Sequence, residues 1–209
     1  NVALQDGPPG EYLTDRLTEE ALKWVETNKD HPFFLYLAHF AVHDPIQGRG
    51  DLVVKYDNKW NKMRKLHELP QGAPYILEGN PDDPNPLSRS ELTSLLGQKD
   101  YQGFSLLPHR TVKIKQFQDN TEFAAMVESV DESLGHVLAK LKELGIASNT
   151  IVIFFSDNGG MSAANFFNPR RVISRYDLNK AFATSNLPLR GGKGWLYEGG
   201  IREPLVIYW

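Results

Sequence analysis

The chain has 209 residues, 41% of them hydrophobic and 23% charged, an ordinary globular composition with enough apolar material for a core. Its formal net charge of −3, with both signs interspersed, offers no basic face of the kind that nucleic-acid binding requires. Cysteine is absent, which excludes disulfides and thiolate metal sites while leaving the compartment open, and no apolar run approaches the ~20 residues of a membrane helix.

The opening, NVALQDGPPGEY, carries no signal-peptide pattern, and the last residues, LVIYW, follow directly on a strand-like run. Both ends read as an excerpt of a longer polypeptide, so residues 1–209 are expected to form one partial domain. Between Tyr12 and Asn28, the residues Leu13, Leu17, Ala21, Trp24 and Val25 recur at helical spacing. After a turn at Lys29–Pro32, FFLYLAHF is a continuous apolar and aromatic run of strand length, expected to be a buried strand. Val53, Tyr56, Trp60, Met63 and Leu66 then suggest a helix within Asp51–His67. The stretch QGAPYILEGNPDDPNPLSRS is rich in turn formers, and residues 58–118 read as a long irregular insertion.

Order returns over Thr121–Leu144. There Phe123, Val127, Val130, Leu134, Val137, Leu138, Leu141 and Leu144 predict one buried stripe, with Gly145 as the C-terminal cap. His136 falls within this helix as a surface or boundary residue. Strands are expected at Thr150–Phe155 and Pro204–Trp209, with a loop-rich stretch and a glycine loop between them. Helices alternating with hydrophobic strands predict an α/β fold, a mostly parallel sheet covered on both faces. In such folds ligands sit beyond the carboxyl ends of strands, where His43, Asp157 and Asn158 fall.

The segment IVIFFSDNGG presents Asp157 and Asn158, a carboxylate and an amide carbonyl suited to calcium or magnesium. Asp-Asn-Gly is also strong turn chemistry, and only the buried strand before it and the lysine loop after it favour the metal. In LRGGKGWLYEGGIREP, Lys193 stands between Gly192 and Gly194, an unshielded ammonium suited to sulfate or phosphate. The order GxxxxGK[ST] of a Walker loop is absent. His43, at AVHDP, is placed to donate to an anionic ester oxygen or to protonate a leaving alkoxide. His39 reads as structural, since no HExxH pattern or third ligand accompanies it. Arg202 reads as an arginine that orients the loop through Glu198 or Glu203.

Four segments in this order, FFLYLAHFAVHDPIQ, EFAAMVESVDESLGHVLAKLKELGI, NTIVIFFSDNGG and LPLRGGKGWLYEGGIREPLVIYW, resemble the type I sulfatases of the alkaline phosphatase-like superfamily. The resemblance implies a three-layer α/β/α sandwich, incomplete at the N-terminus, and hydrolysis of sulfate esters of carbohydrates or aryl alcohols. It implies calcium held by Asp157 and Asn158, sulfate bound by Lys193, and His43 at the sulfate or leaving-group oxygen. The family's nucleophile, a formylglycine made from Cys or Ser in C/S-x-P-x-R, is expected upstream. The nearest spacing match here, Asn186-Leu187-Pro188-Leu189-Arg190, has Asn in the nucleophile position and reads as the lead-in to the lysine loop. Relatives often carry Pro and Thr where this chain has Val42 and Asp44. The segment alone is therefore expected to be inactive and, with an open sheet edge, to self-associate.

Periplasmic or secreted localisation follows from the resemblance alone. A phosphate or phosphonate ester hydrolase of the same superfamily, or a noncatalytic binding domain on the same scaffold, is the competing expectation. Trp60, with Tyr75, Tyr101 and Phe104, is a candidate wall of a saccharide cleft.

Overall fold

A computed structural model describes residues 7–70, 75–80, 83–85, 87–88, 90–91, 94, 111–163 and 182–209. In chain order its elements are helix α1 (Leu13–Asn28), helix α2 (Gly50–Lys65), strand β1 (Tyr75–Gly79), strand β2 (Thr111–Lys115) and helix α3 (Thr121–Glu143). A 3₁₀ turn (Ala147–Asn149), strand β3 (Val152–Phe155), the one-turn helix α4 (Glu198–Ile201) and strand β4 (Leu205–Tyr208) follow. The chain divides into two compact units, residues 1–59 with 121–153 and 207–209, and residues 60–120 with 154–206. β3 and β4 are hydrogen-bonded neighbours in one two-stranded sheet.

The first unit is built on α1 against α3. α1 starts at Tyr12 with no side-chain cap, and Asp15 in its first turn complements the positive helix end. It buries Thr14, Thr18, Ala21 and Val25, while α3 buries Ala125, Met126, Ser129, Ser133 and Leu141. This is a face of small residues and hydroxyls. Thr18 Oγ1 donates to the Thr14 carbonyl (2.7 Å) and hydrogen-bonds the Ser133 hydroxyl (2.6 Å), whose oxygen lies 3.0 Å from His39 Nε2. Arg49 ties the loop before α2 to both helices, reaching Asp15 (3.2 Å), Glu132 (2.8 Å) and Asp51 (2.7 Å). Lys55 of α2 pairs with Glu128 of α3.

The expected end of α3 is found. Gly145 has φ +71°, and the Ile146 N–H donates to the Leu141 carbonyl (3.0 Å), as in a left-handed C-terminal cap. The expected buried stripe is displaced around the helix. Val127 and Leu138 are exposed, because packing follows the residues that let α1 come close rather than the largest apolar ones.

Two further expectations need correction. Residues 33–40 are not a strand among the described residues, and burial alternates along them, with Phe34, Tyr36 and Phe40 more than 70% exposed. An apolar run becomes a buried strand only where neighbours pair with it on both edges, and none of the described residues does. The stretch read as irregular contains β1, which pairs antiparallel with β2 in the register Tyr75↔Lys115 to Gly79↔Thr111. The turn formers around Tyr75–Gly79 hid a ladder whose partner lies far along the chain. Tyr101 and Phe104 lie outside the described residues.

The second unit buries Ile114, Ala163, Phe182 and Ala183 together with Ser162, Thr184 and Ser185. Lys115, its side chain only 3% exposed, pairs with Asp119 at 2.6 Å, and its N–H donates to the Ser162 carbonyl (2.9 Å). A buried ammonium needs such a partner to remain charged. Among the described residues, no helix is long and apolar enough to cross a membrane.

Candidate active site

β3 ends at Phe155, and the chain then turns sharply through Ser156–Gly160. Ser156 Oγ donates to the Asn158 carbonyl (2.9 Å), closing the turn that carries Asp157 and Asn158. Asp157 is exposed and Asn158 half-buried, so both oxygen donors reach solvent. Backbone bonds fasten this turn to the glycine segment. The Ser156 N–H donates to the Pro204 carbonyl (3.3 Å), and the Gly159 N–H to the Gly200 carbonyl (3.1 Å). Glycine is required at the crossing, since a Cβ on Gly200 would lie 2.1 Å from the Trp195 carbonyl oxygen.

The lysine loop is tied to the same turn. The Lys193 N–H donates to the Gly160 carbonyl (3.1 Å), so the lysine backbone is hydrogen-bonded to the residue that closes the Asp157–Asn158 turn. Gly191 and Gly194 have φ of +72° and +93°, conformations that favour glycine, and they fold the loop around Lys193. Among the described residues no carboxylate pairs with the Lys193 ammonium. Arg190 is engaged elsewhere, 3.9 Å from the Tyr197 ring centroid and 4.0 Å from Glu78. Burial raises the Glu78 carboxyl, and the Arg190 charge acts against that. Arg202 pairs with Glu198 at 3.4 Å, one of the two partners expected for it.

The turn has an electrostatic demand that motif reading did not anticipate. Both carboxylate oxygens of Glu203 are buried without a hydrogen-bond partner among the described residues. Burial first, and then the nearby Asp157 carboxylate, push the Glu203 carboxyl above its ordinary range. Asp157 and Glu203 are thus two neighbouring carboxylates, and Asn158 follows Asp157 in the turn; hard oxygens of this kind are the donors calcium or magnesium takes. Glu203 was legible only as a possible partner of Arg202, because its approach to Asp157 depends on the packing of the REP segment beneath the turn.

His43 stands in the first unit, exposed at the end of the 33–40 segment. Its Nδ1 lies 2.8 Å from the Asp44 carbonyl and 2.7 Å from the Asp44 carboxylate. Two acceptors at one nitrogen place the proton on Nδ1 and leave Nε2 as the outward end. Asp44 thus has a definite contact in this chain, the orientation of its neighbouring histidine. His39 is half-buried, with Nδ1 unpartnered among the described residues, and burial lowers its affinity for a proton. That agrees with its reading as structural. His136 is exposed, as expected.

Comparison with known proteins agrees with the motif order. The family model described as Sulfatase matches residues 2–209. A sulfatase of Formosa agariphila is 31% identical over 99% of this chain and 26% of its own length. The N-acetylgalactosamine-6-sulfatase of Mus musculus is 39% identical over 94% of this chain and 24% of its own length. The crystal structure of Ps i-CgsB in complex with k-i-k-neocarrahexaose superposes with a TM-score of 0.55 at 27% identity, over 95% of this chain and 28% of that one. The chain thus spans about a quarter of the length of these relatives, and its α/β elements are those of the alkaline phosphatase-like fold. With the family model matching residues 2–209 and these relatives aligned along nearly all of it, the chain belongs to the sulfatase family.

Proposed function

We propose that the protein containing this chain hydrolyses sulfate esters, with a sulfated carbohydrate or an aryl sulfate as substrate. One observation carries the reading: a turn bearing Asp157 and Asn158 is hydrogen-bonded, through the Gly160 carbonyl, to a glycine loop bearing Lys193, whose ammonium has no carboxylate partner among the described residues. An acidic turn beside such a cation suits an anionic group that bridges a metal and an ammonium. Family membership supports sulfate rather than phosphate. The oligosaccharide named in the Ps i-CgsB complex supports a saccharide substrate here.

Each residue then has a task. Asp157 and Asn158 are proposed to hold calcium, which when bound supplies positive charge to polarise a sulfuryl oxygen. Lys193 binds the sulfate as a compact point charge, presented by flanking glycines that keep other side chains away. His43, held at Nδ1 by Asp44, serves the leaving-group oxygen from Nε2 when the ring carries a second proton there, which it gives to the alkoxide. The nucleophile is not among these residues, since the chain has no Cys and no S-x-P-x-R. It is proposed to come from elsewhere in the polypeptide.

The test is hydrolysis of 4-nitrophenyl sulfate and of sulfated oligosaccharides by the natural-length protein. Lys193→Ala is expected to lower kcat/KM by about 10²–10³-fold, the scale of losing one charge-stabilising group. Equal turnover by the lysine variant, or hydrolysis of phosphate esters in preference to sulfate esters, overturns the proposal.

A further inference from the structure

We propose that Asn186 is a positioning residue that holds Lys193 in register with the Asp157–Asn158 turn; this rests on the sulfate-binding role proposed for Lys193. Asn186 Nδ2 donates to the Gly160 carbonyl (2.7 Å) and to the Gly191 carbonyl (3.3 Å). The first acceptor ends the acidic turn, and the second lies two residues before the lysine. One side-chain amide therefore bridges the two loops, using both of its N–H bonds.

The surroundings make that bridge narrow. The Gly160 carbonyl also accepts from the Lys193 N–H (3.1 Å) and the Ser162 N–H (3.0 Å). The Gly191 carbonyl accepts a further bond from the buried Ser162 hydroxyl (3.0 Å). Space for anything larger is absent. A Cβ on Gly192 would lie 2.4 Å from Ser162 Oγ and 2.8 Å from Asn186 Nδ2, and one on Gly160 would lie 2.7 Å from Asn186 Oδ1. The Leu189 N–H donates to the Asn186 carbonyl (2.9 Å), which fixes the backbone that carries the amide. Asp at this position would set a carboxylate against two carbonyl oxygens. Ala would remove the bridge itself: the Gly160 carbonyl would keep its Lys193 and Ser162 N–H donors and the Gly191 carbonyl its Ser162 hydroxyl, but no side chain would hold the two loops together.

Misplacing a charge by about 1 Å can cost on the order of 10²-fold in rate, so a bridge of this kind acts through Lys193 rather than on the substrate. In the natural-length protein, Asn186→Ala is expected to lower kcat/KM for 4-nitrophenyl sulfate by about 30-fold and to weaken inhibition by inorganic sulfate to a similar degree. The distinguishing measurement is a double-mutant cycle. In the Lys193→Ala background, Asn186→Ala should cost less than about threefold, because the group it positions is gone. Asn186→Ser, which retains a short donor, should recover part of the loss.

Equal fold-losses in both backgrounds assign Asn186 a merely structural role and overturn the proposal. If calorimetry shows that Asn186→Ala does not fold, Asn186→Ser carries the same cycle with the same criterion. Binding of inorganic sulfate, measured by titration calorimetry, separates this inference from the activity. A protein that binds sulfate through Lys193 and loses it with Asn186→Ala, yet hydrolyses no sulfate ester, refutes the hydrolase reading and upholds the positioning role. No sulfate binding and no hydrolysis by the unaltered protein refutes both.

Discussion

Gly159 and Gly199 meet backbone against backbone, so closely that a Cβ built on Gly159 would fall 1.8 Å from the Gly199 carbonyl oxygen. The contact joins the acidic turn to the one-turn helix after the lysine loop, and no side chain fits between them. Gly159→Ala is therefore expected to move backbone rather than a flexible side chain. Overpacking costs typically about 1–3 kcal/mol, and the upper end is expected at a backbone contact. Urea denaturation of the natural-length protein checks this; an unchanged midpoint would mean that the two loops separate freely.

The same turn is the proposed calcium site, and it yields a binding prediction independent of turnover. Calcium at about 100 times its dissociation constant should stabilise the natural-length protein by about 2.7 kcal/mol. Asp157→Ala should abolish that increment, while a chelator should bring the unaltered protein down to the same melting temperature. Asn158→Ala should weaken it less, since an amide carbonyl contributes no net charge. A calcium response that survives Asp157→Ala would place the ion elsewhere.

Between α1 and α3, the buried Thr18 hydroxyl bonds both the Thr14 carbonyl and Ser133. Thr18→Val keeps the shape and removes the hydroxyl, and with it the bond between α1 and α3 and the second bond to the Thr14 carbonyl. The expected loss is about 1–2 kcal/mol in equilibrium unfolding. Thr18→Ser, which restores the hydroxyl, should recover most of it. Equal stability of the Val variant would show that water replaces the lost bond.

His39 predicts a pH dependence of stability with a definite sign. Burial, which disfavours the charged ring, depresses its folded-state pKa below the ordinary 6.5. The unfolded chain then binds more protons than the folded one just below pH 6.5, so stability falls as pH drops through that value and levels off below the folded pKa. Above it the contribution is flat. His39→Gln, which can still bond Ser133 but does not titrate, should remove this slope between pH 7 and 5. Identical slopes for the two proteins would assign the acid sensitivity to other groups.

The family was legible as motif order. IVIFFSDNGG followed by LRGGKGWLYEGGIREP carries its meaning in residue identity and spacing, which survive without coordinates. Helix periods were legible for the same reason: the bounds of α1 and α3 follow from a 3.6-residue repeat and a terminal glycine. Less was legible wherever an outcome depends on a partner. FFLYLAHF has the composition of a central strand, but a strand exists only when another pairs with it, and among the described residues none pairs with these. The buried face of α3 could not be read from its largest apolar residues, because α1 selects small ones and hydroxyls.

By itself, then, the sequence determined the family and the helices, and it named His43, Asp157, Asn158 and Lys193 as the candidates on which the proposal rests. Only the tertiary structure decided that Asn186 bridges two loops and that Glu203 is buried beside Asp157. It also decided that Asp44 turns His43. Hydrogen bonds between a side chain and backbone carbonyls, and charges pressed together by packing, leave no periodic trace in the order of residues. They come from the close approach of segments, which glycine permits and burial enforces.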